Sequence, residues 1–155
     1  MQIKKINASE YQLVTGLFNN YRIFYKQQPD ITLAENFIKE RLSNNESIIF
    51  VAFSDYEGQS LPVGFTQLYP LISSVKAIKN WLLNDLYVNA DYRKQGIGEA
   101  LIKTAMVFAK EQNSNFIRLE TAFDNYTAQK LYETIGFKKQ KLNSADFVYQ
   151  AEIAY

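Results

Sequence analysis

A strand-like run at residues 81–88 leads into Asp91-Tyr92-Arg93-Lys94-Gln95-Gly96-Ile97-Gly98-Glu99-Ala100-Leu101, and a helical pattern follows at once. This passage constrains the fold of the chain more than any other. A Gly-rich turn between a strand and a helix needs a sheet before it and a packed helix after it. It also presents backbone N–H groups at a helix N-terminus, where first-turn donors lack partners and the dipole is positive. The expectation is a turn that grips a phosphate-bearing ligand. The plainer reading is a tight turn that only lets the helix pack close to the sheet. Arg93 and Lys94 ahead of the glycines favour the anion site. The passage is not a P-loop, because no Gly-Lys-Ser/Thr follows, and it lacks the third glycine and strand-end acid of a dinucleotide fingerprint.

The rest of the chain supplies the elements around that turn. Residues 2–6 form a short strand pattern. Ser9 is positioned to cap a helix with Val14, Leu17, Phe18, Tyr21 and Tyr25 on one face. Thr32-Leu33-Ala34-Glu35 has capping-box spacing and opens a helix to about Leu42. Residues 47–53 and 63–71 are apolar and flank the turn residues Asp55-Tyr56-Glu57-Gly58-Gln59, which predicts a hairpin. Residues 73–79 are polar and flexible in character. After the Gly turn, Ile97, Leu101, Ala105, Phe108 and Ala109 share a helix face. Residues 116–121 form a strand pattern. Asn125 caps a short helix with Ala128, Leu131, Tyr132 and Ile135 on one stripe, and Gly136 ends it. Residues 137–141 and 147–153 are expected as closing strands. The order is β-α-α-β-β-β-α-β-α-β-β, an α/β class with a mixed sheet and helices on both faces. No repeat or linker interrupts it, so residues 1–155 form one expected domain.

Composition narrows the chemistry. There are no cysteines and no histidines, so thiolate chemistry and the commonest metal ligand and general base are absent, and no metal is expected. Acid–base work falls to Asp, Glu, Tyr, Lys or water. A net charge of +1 argues against a large nucleic-acid footprint. No signal-peptide-like apolar core stands near Met1, and no apolar run is long enough to span a bilayer, so no membrane partner is expected. The expected location is cytoplasmic.

Arg93-Lys94-Gln95-Gly96-Ile97-Gly98 resembles the Arg/Gln-x-x-Gly-x-Gly/Ala motif of the GNAT superfamily of N-acetyltransferases. Asn125-Tyr126-Thr127-Ala128-Gln129-Lys130-Leu131-Tyr132-Glu133-Thr134-Ile135-Gly136-Phe137 is similar to its Asn-x-x-Ala-x-x-Leu-Tyr-x-x-x-Gly-Phe signature. The likeness is close over roughly residues 80 to 140. It implies a twisted, mostly antiparallel mixed sheet of six to seven strands. It also implies acetyl-CoA as cosubstrate, with the pyrophosphate held by the turn of Arg93, Lys94, Gln95, Gly96, Ile97, Gly98 and Glu99. Leu83-Asn84-Asp85-Leu86-Tyr87-Val88 resembles the branch that acetylates polyamines, amino acids and histone-like amines. There the backbone of Leu86, Tyr87 and Val88 pairs with the pantetheine arm, beside an edge that the splayed sheet leaves free, and Asn125 touches the same arm. The implied acceptor is a small-molecule primary amine that attacks directly in a ternary complex. A protein, peptide or aminoacyl-tRNA acceptor, or a non-catalytic acyl-CoA-binding module, are the alternatives. Many relatives pair as dimers, which extends the resemblance to a homodimer.

Acetyl transfer needs a neutral amine, a polarised thioester and a proton for the departing thiolate. The resemblance gives the last role to Tyr132. A tyrosine keeps its proton at neutral pH, since its ordinary pKa is about 10. A tyrosine on an apolar stripe also serves simply as core. Two acids compete as base. Glu120, at the end of the 116–121 strand, resembles the catalytic Glu of peptide-amine acetyltransferases, and its plainer role is an ion pair with Arg118. Asp85 lies where related polyamine enzymes hold a cationic acceptor, and its plainer role is a backbone bond. Tyr21, Arg22 and Tyr25 are candidates for the acceptor pocket wall. Gln67 and Tyr69 alternate toward one face of the third strand as further candidates.

Overall fold

The computed structural model describes residues 1–140, 147 and 149–152. It divides into two compact units, residues 1–121 and 122–155. In the first unit β1 (Gln2–Lys5) is followed by a 3-10 turn at Ala8–Glu10, α1 (Gln12–Phe24), α2 (Ile31–Ser43), β2 (Ile48–Tyr56), β3 (Gln59–Ser73), β4 (Ile78–Val88), a 3-10 turn at Ala90–Tyr92, α3 (Ile97–Glu111) and β5 (Ile117–Arg118). The sheet order is β1-β2-β3-β4-β5. The first three pairings are antiparallel, and β4 and β5 run parallel.

Alternation along β2 explains why the run 47–53 is apolar at nearly every position. Ile49, Val51 and Phe53 join a core with Val14, Leu17, Phe18, Ala34, Ile38 and Leu42 of α1 and α2. Phe50 points the other way, and its ring meets Phe108 of α3 at 5.6 Å. A strand covered on both faces has no polar alternation to show. Each fully buried large side chain there contributes about 1.5–3 kcal/mol. The predicted α3 face is buried throughout, with Ile102 added.

Two helix caps differ from expectation. The α1 segment is entered through Asn7, whose side chain accepts from Ser9 N–H, with Glu10 completing a capping box; Ser9 lies inside the 3-10 turn. The α2 cap is Asp30, which accepts from Leu33 N–H at 2.9 Å, and Thr32 is already helical. Asn7 thus caps the 3-10 turn, α1 itself starts from Tyr11 without a side-chain cap, and at α2 the earlier Asp30 takes the orphan amide. The polar stretch 73–79 is no loop of that length, because β3 and β4 extend to a turn at residues 74–77.

Five strands form among the described residues, not six to seven. The predicted strand 116–121 contracts to Ile117–Arg118. Asn80 Oδ1 accepts from the backbone N–H groups of Asn115 and Phe116, at 2.8 and 3.2 Å, and so holds the chain just before Ile117. In the second unit α4 (Tyr126–Ile135) ends at Gly136, whose φ of 114° is the left-handed geometry that glycine favours. The strand expected over 137–141 does not form at 137–140. There Phe137 packs its ring 6.1 Å from Tyr132, and the Lys139 amine reaches back to Gln129 and Glu133 of α4. No strand forms at the described residues of the 147–153 expectation, and the remainder, like Lys141, lies outside the described residues. No described helix is long and apolar enough to cross a membrane.

Candidate active site

The Gly turn forms between β4 and α3. Lys94 has φ 61° and Gly96 φ 79°. Gly96 adopts this geometry without cost, whereas Lys94 carries a Cβ into it. Intrahelical bonding begins with Ala100 N–H donating to Gly96 O at 3.0 Å, so the amides of Ile97, Gly98 and Glu99 precede the bonded ladder. The turn thus leaves the amides of Ile97, Gly98 and Glu99 without intrahelical acceptors at the start of α3. Arg93 is already engaged. Its Nε donates to Val88 O at 2.9 Å, and its guanidinium lies over the rings of Phe24 and Tyr87 at 5.4 and 5.6 Å. It therefore ties the end of α1 to the end of β4. Gln95 Nε2 donates to Asp91 O at 3.4 Å, and Glu99 pairs with Lys103.

Beside the turn, β4 offers a free edge. Its ladder with β5 covers Trp81 and Leu82 alone among the described residues. Asn89 N–H donates to Val63 O of β3 at 2.8 Å. Backbone direction alternates along a strand, so Tyr87 also faces β3, while Leu86 and Val88 face the open side. The three backbone positions expected to meet a pantetheine arm are thus divided, two toward the open side and Tyr87 toward β3.

A buried polar cluster lies on the α1 face of the same strand. Asp85 is 4% exposed and stands opposite Gln67 in the register. Leu68 pairs with Leu83, so Asn84 is the extra residue of a bulge. That bulge lets Asn84 Nδ2 donate to Asp85 Oδ1 at 3.0 Å, while Gln67 Nε2 donates to Oδ2 at 2.6 Å. Ser47 Oγ donates to Gln67 Oε1 at 2.8 Å. The Tyr21 hydroxyl lies beside the Asp85 carboxylate. Its pKa is pushed well above the ordinary tyrosine range, first by burial and then by the Asp85 charge. Tyr69 is pushed up to about 12, again by burial first and the Asp85 charge second. Both hydroxyls stay protonated at neutral pH and serve Asp85 as donors or dipoles. Tyr21 is half-buried and carries the cluster from Asp85 toward the surface.

Other candidates are placed differently. Tyr25 is exposed, with its ring 5.0 Å from Tyr21. Arg22 Nη1 donates to Gln28 O at 3.3 Å and so fastens the chain after α1. Glu120 is exposed and lies beyond the end of β5, outside the Asp85 network. The expected Arg118–Glu120 pair does not form; Arg118 lies over the Phe116 ring instead. In the sequence Ser47 reads as the first residue of the apolar run 47–53, with no chemical role. The legible signal was Gln67, a polar residue in an apolar strand. In the second unit Asn125 Oδ1 accepts from Ala128 N–H at 3.3 Å, the predicted cap. Tyr132 is half-buried, as are Ala128, Leu131 and Ile135 of its stripe. No cluster of three or more His, Cys, Asp or Glu groups suited to a metal forms among the described residues.

Comparison with known proteins gives these features a context. Residues 12–137 match the Acetyltransferase (GNAT) family. An uncharacterised N-acetyltransferase of Bacillus subtilis (strain 168), YhfO, is 38% identical over 139 residues, covering 90% of this chain and 91% of that one. A probable acetyltransferase of Haemophilus influenzae is 30% identical over 156 residues, covering 99% of each chain. The crystal structure of a probable acetyltransferase shares the fold at a TM-score of 0.85 and 34% identity, with 99% of both chains covered. That family match runs from the start of α1 through the α4 motif, and the chain therefore belongs to the GNAT acetyltransferase family of acyltransferase enzymes.

Proposed function

We propose that the protein transfers the acetyl group of acetyl-CoA to the primary amine of a small molecule, with amine and thioester bound together. The observation that carries this reading is the free β4 edge beside an amide cradle at the start of α3. In this reading the amides of Gly96, Ile97, Gly98 and Glu99, with Lys94, hold the pyrophosphate. The backbone groups of Leu86 and Val88 take the amides of the pantetheine arm as an added strand would. Arg93 shapes that edge through Val88, and Asn125 supplies a further amide to the arm. Residues 1–121 and 122–155 then serve one acetyltransferase domain.

The acceptor enters along α1, past Tyr25 and Tyr21, toward Asp85. One carboxylate ringed by hydroxyl and amide donors suits one ammonium group. The amine loses a proton toward Asp85, by way of Tyr21 or water. Its nitrogen then bonds to the acetyl carbon and the C–S bond breaks. The thiolate takes a proton from Tyr132, and the second amine proton, released as the amide forms, passes through water to restore the Tyr132 hydroxyl. The net change is amine plus thioester to amide plus thiol.

The test pairs CoA calorimetry with a thiol-release assay using acetyl-CoA and spermidine, L-lysine, kanamycin or a peptide with a free N-terminus. A small amine should turn over. Gly96→Val should lower CoA affinity by roughly 10-fold or more, the worth of a lost bond to a charged group. Unchanged affinity in a folded Gly96→Val protein would remove the turn from the site. Turnover of the peptide alone would replace the small-amine acceptor.

A further inference from the structure

Ser47, Gln67 and Asp85 are 4%, 0% and 4% exposed, within a face otherwise lined by Ile49, Val51, Phe65 and Tyr87. Buried polar groups cost free energy, and apolar replacements of similar shape are often neutral or better. Packing alone therefore gives no reason for this chain of three. Its internal order is specific. A side-chain amide has an acceptor at one end and donors at the other. Ser47 Oγ donates to Gln67 Oε1, which leaves the Gln67 amino group to face Asp85. A flipped amide would set acceptor against acceptor at a 2.6 Å contact.

We infer that Ser47 and Gln67 are positioning residues for acetyl transfer: Ser47 sets the Gln67 amide, and Gln67 holds the Asp85 carboxylate toward the amine acceptor. The inference rests on the reading of Asp85 as the group that faces the amine. From α1, Tyr21 faces Asp85, with Tyr25 beside it. From β3, Tyr69 lies within reach of its charge. Arg41 at the end of α2 and Glu46 before β2 act on Tyr69 in turn, Arg41 opposing the Asp85 effect and Glu46 adding to it. Both tyrosine hydroxyls are neutral at neutral pH, which leaves Asp85 as the acid of this cluster.

Two readouts test this. The first is the pH titration of the Asp85 carboxyl carbon by ¹³C NMR, with Asp85→Asn to assign the resonance. Gln67→Leu removes a donor to the charged form and should move the midpoint to higher pH. Ser47→Ala should move it the same way by less, and Ser47→Thr, which keeps the hydroxyl, should leave it in place. If Gln67→Leu does not fold, the two Ser47 variants carry the test. The second readout is kcat/KM for whichever amine of the panel the protein acetylates. Gln67→Leu should lower it by about 10- to 10²-fold, the range for a bond to a charged group, with CoA affinity unchanged. A midpoint that stays put in folded variants would overturn the inference, as would a moved midpoint with full activity. Failure of every amine would sink the small-amine reading by itself, while the midpoint, which needs no acceptor, still decides whether Ser47 and Gln67 hold Asp85.

Discussion

Tyr132 shares the α4 stripe with Ala128, Leu131 and Ile135, and its ring lies 6.1 Å from Phe137. Packing and catalysis therefore make different demands on one side chain. Tyr132→Phe keeps the ring and removes the donor. If the hydroxyl protonates the leaving thiolate, kcat falls by roughly 10- to 10³-fold in single-turnover measurements. CoA affinity changes by about 1 kcal/mol at most, the size of one neutral hydrogen bond. A chemical step at the unsubstituted rate would return Tyr132 to packing alone. At this scale the sequence was readable where a likeness covered the residue. Asp85 was reached through the likeness of its strand to that of polyamine acetyltransferases, which carry acids there. Ser47 was not, because its partner Gln67 lies 20 residues away and only strand pairing brings the two together.

The contact between β3 and β4 sets the position of the open edge. A Cβ on Gly64 would lie 2.9 Å from Tyr87 O, 3.3 Å from Val88 Cγ2 and 3.4 Å from Leu101 Cδ1. The nearest of these is backbone, which cannot turn aside as a side chain can. Gly64→Ala should destabilise the protein by about 1–3 kcal/mol in urea unfolding, the usual cost of overpacking. It should also weaken CoA binding, because the strain falls on residues 87 and 88. Gly16, exposed within α1, is the control, since a Cβ there meets nothing within 4 Å. Gly16→Ala should stabilise by roughly 0.5–1 kcal/mol, the helical advantage of Ala over Gly. A Gly64→Ala protein as stable as its parent would show that the strands separate without cost. Helix existence was legible from apolar periodicity, whereas the caps of α1 and α2 were not. Several Asn, Asp, Ser and Thr stand near each helix start, and the backbone entry angle selects among them.

The Asp85 cluster also leaves a mark on the stability of the whole molecule. Tyr69 titrates at about 12 in the fold, and Tyr21 is shifted upward in the same direction. Unfolded tyrosines ionise near pH 10. Above that pH the unfolded chain gives up protons that the folded chain keeps. This contribution is fully present below about pH 10 and is lost as pH rises through about 12. Urea unfolding between about pH 9 and about pH 11.5 should show a loss of stability that the Tyr21→Phe, Tyr69→Phe double variant shows more weakly. Equal slopes would mean that these hydroxyls are not held neutral by the fold. The sequence by itself determined the order of the first nine elements, the Gly turn before α3, the Asn125 cap and the Gly136 stop. Those features rest on local periodicity and on φ angles that few residues accept. Tertiary structure alone decided the length of β5, the open edge of β4, the bulge at Asn84 and the meeting of Ser47, Gln67 and Asp85. Each depends on which strand lies beside which, and pairing energy comes from residues far apart in the chain.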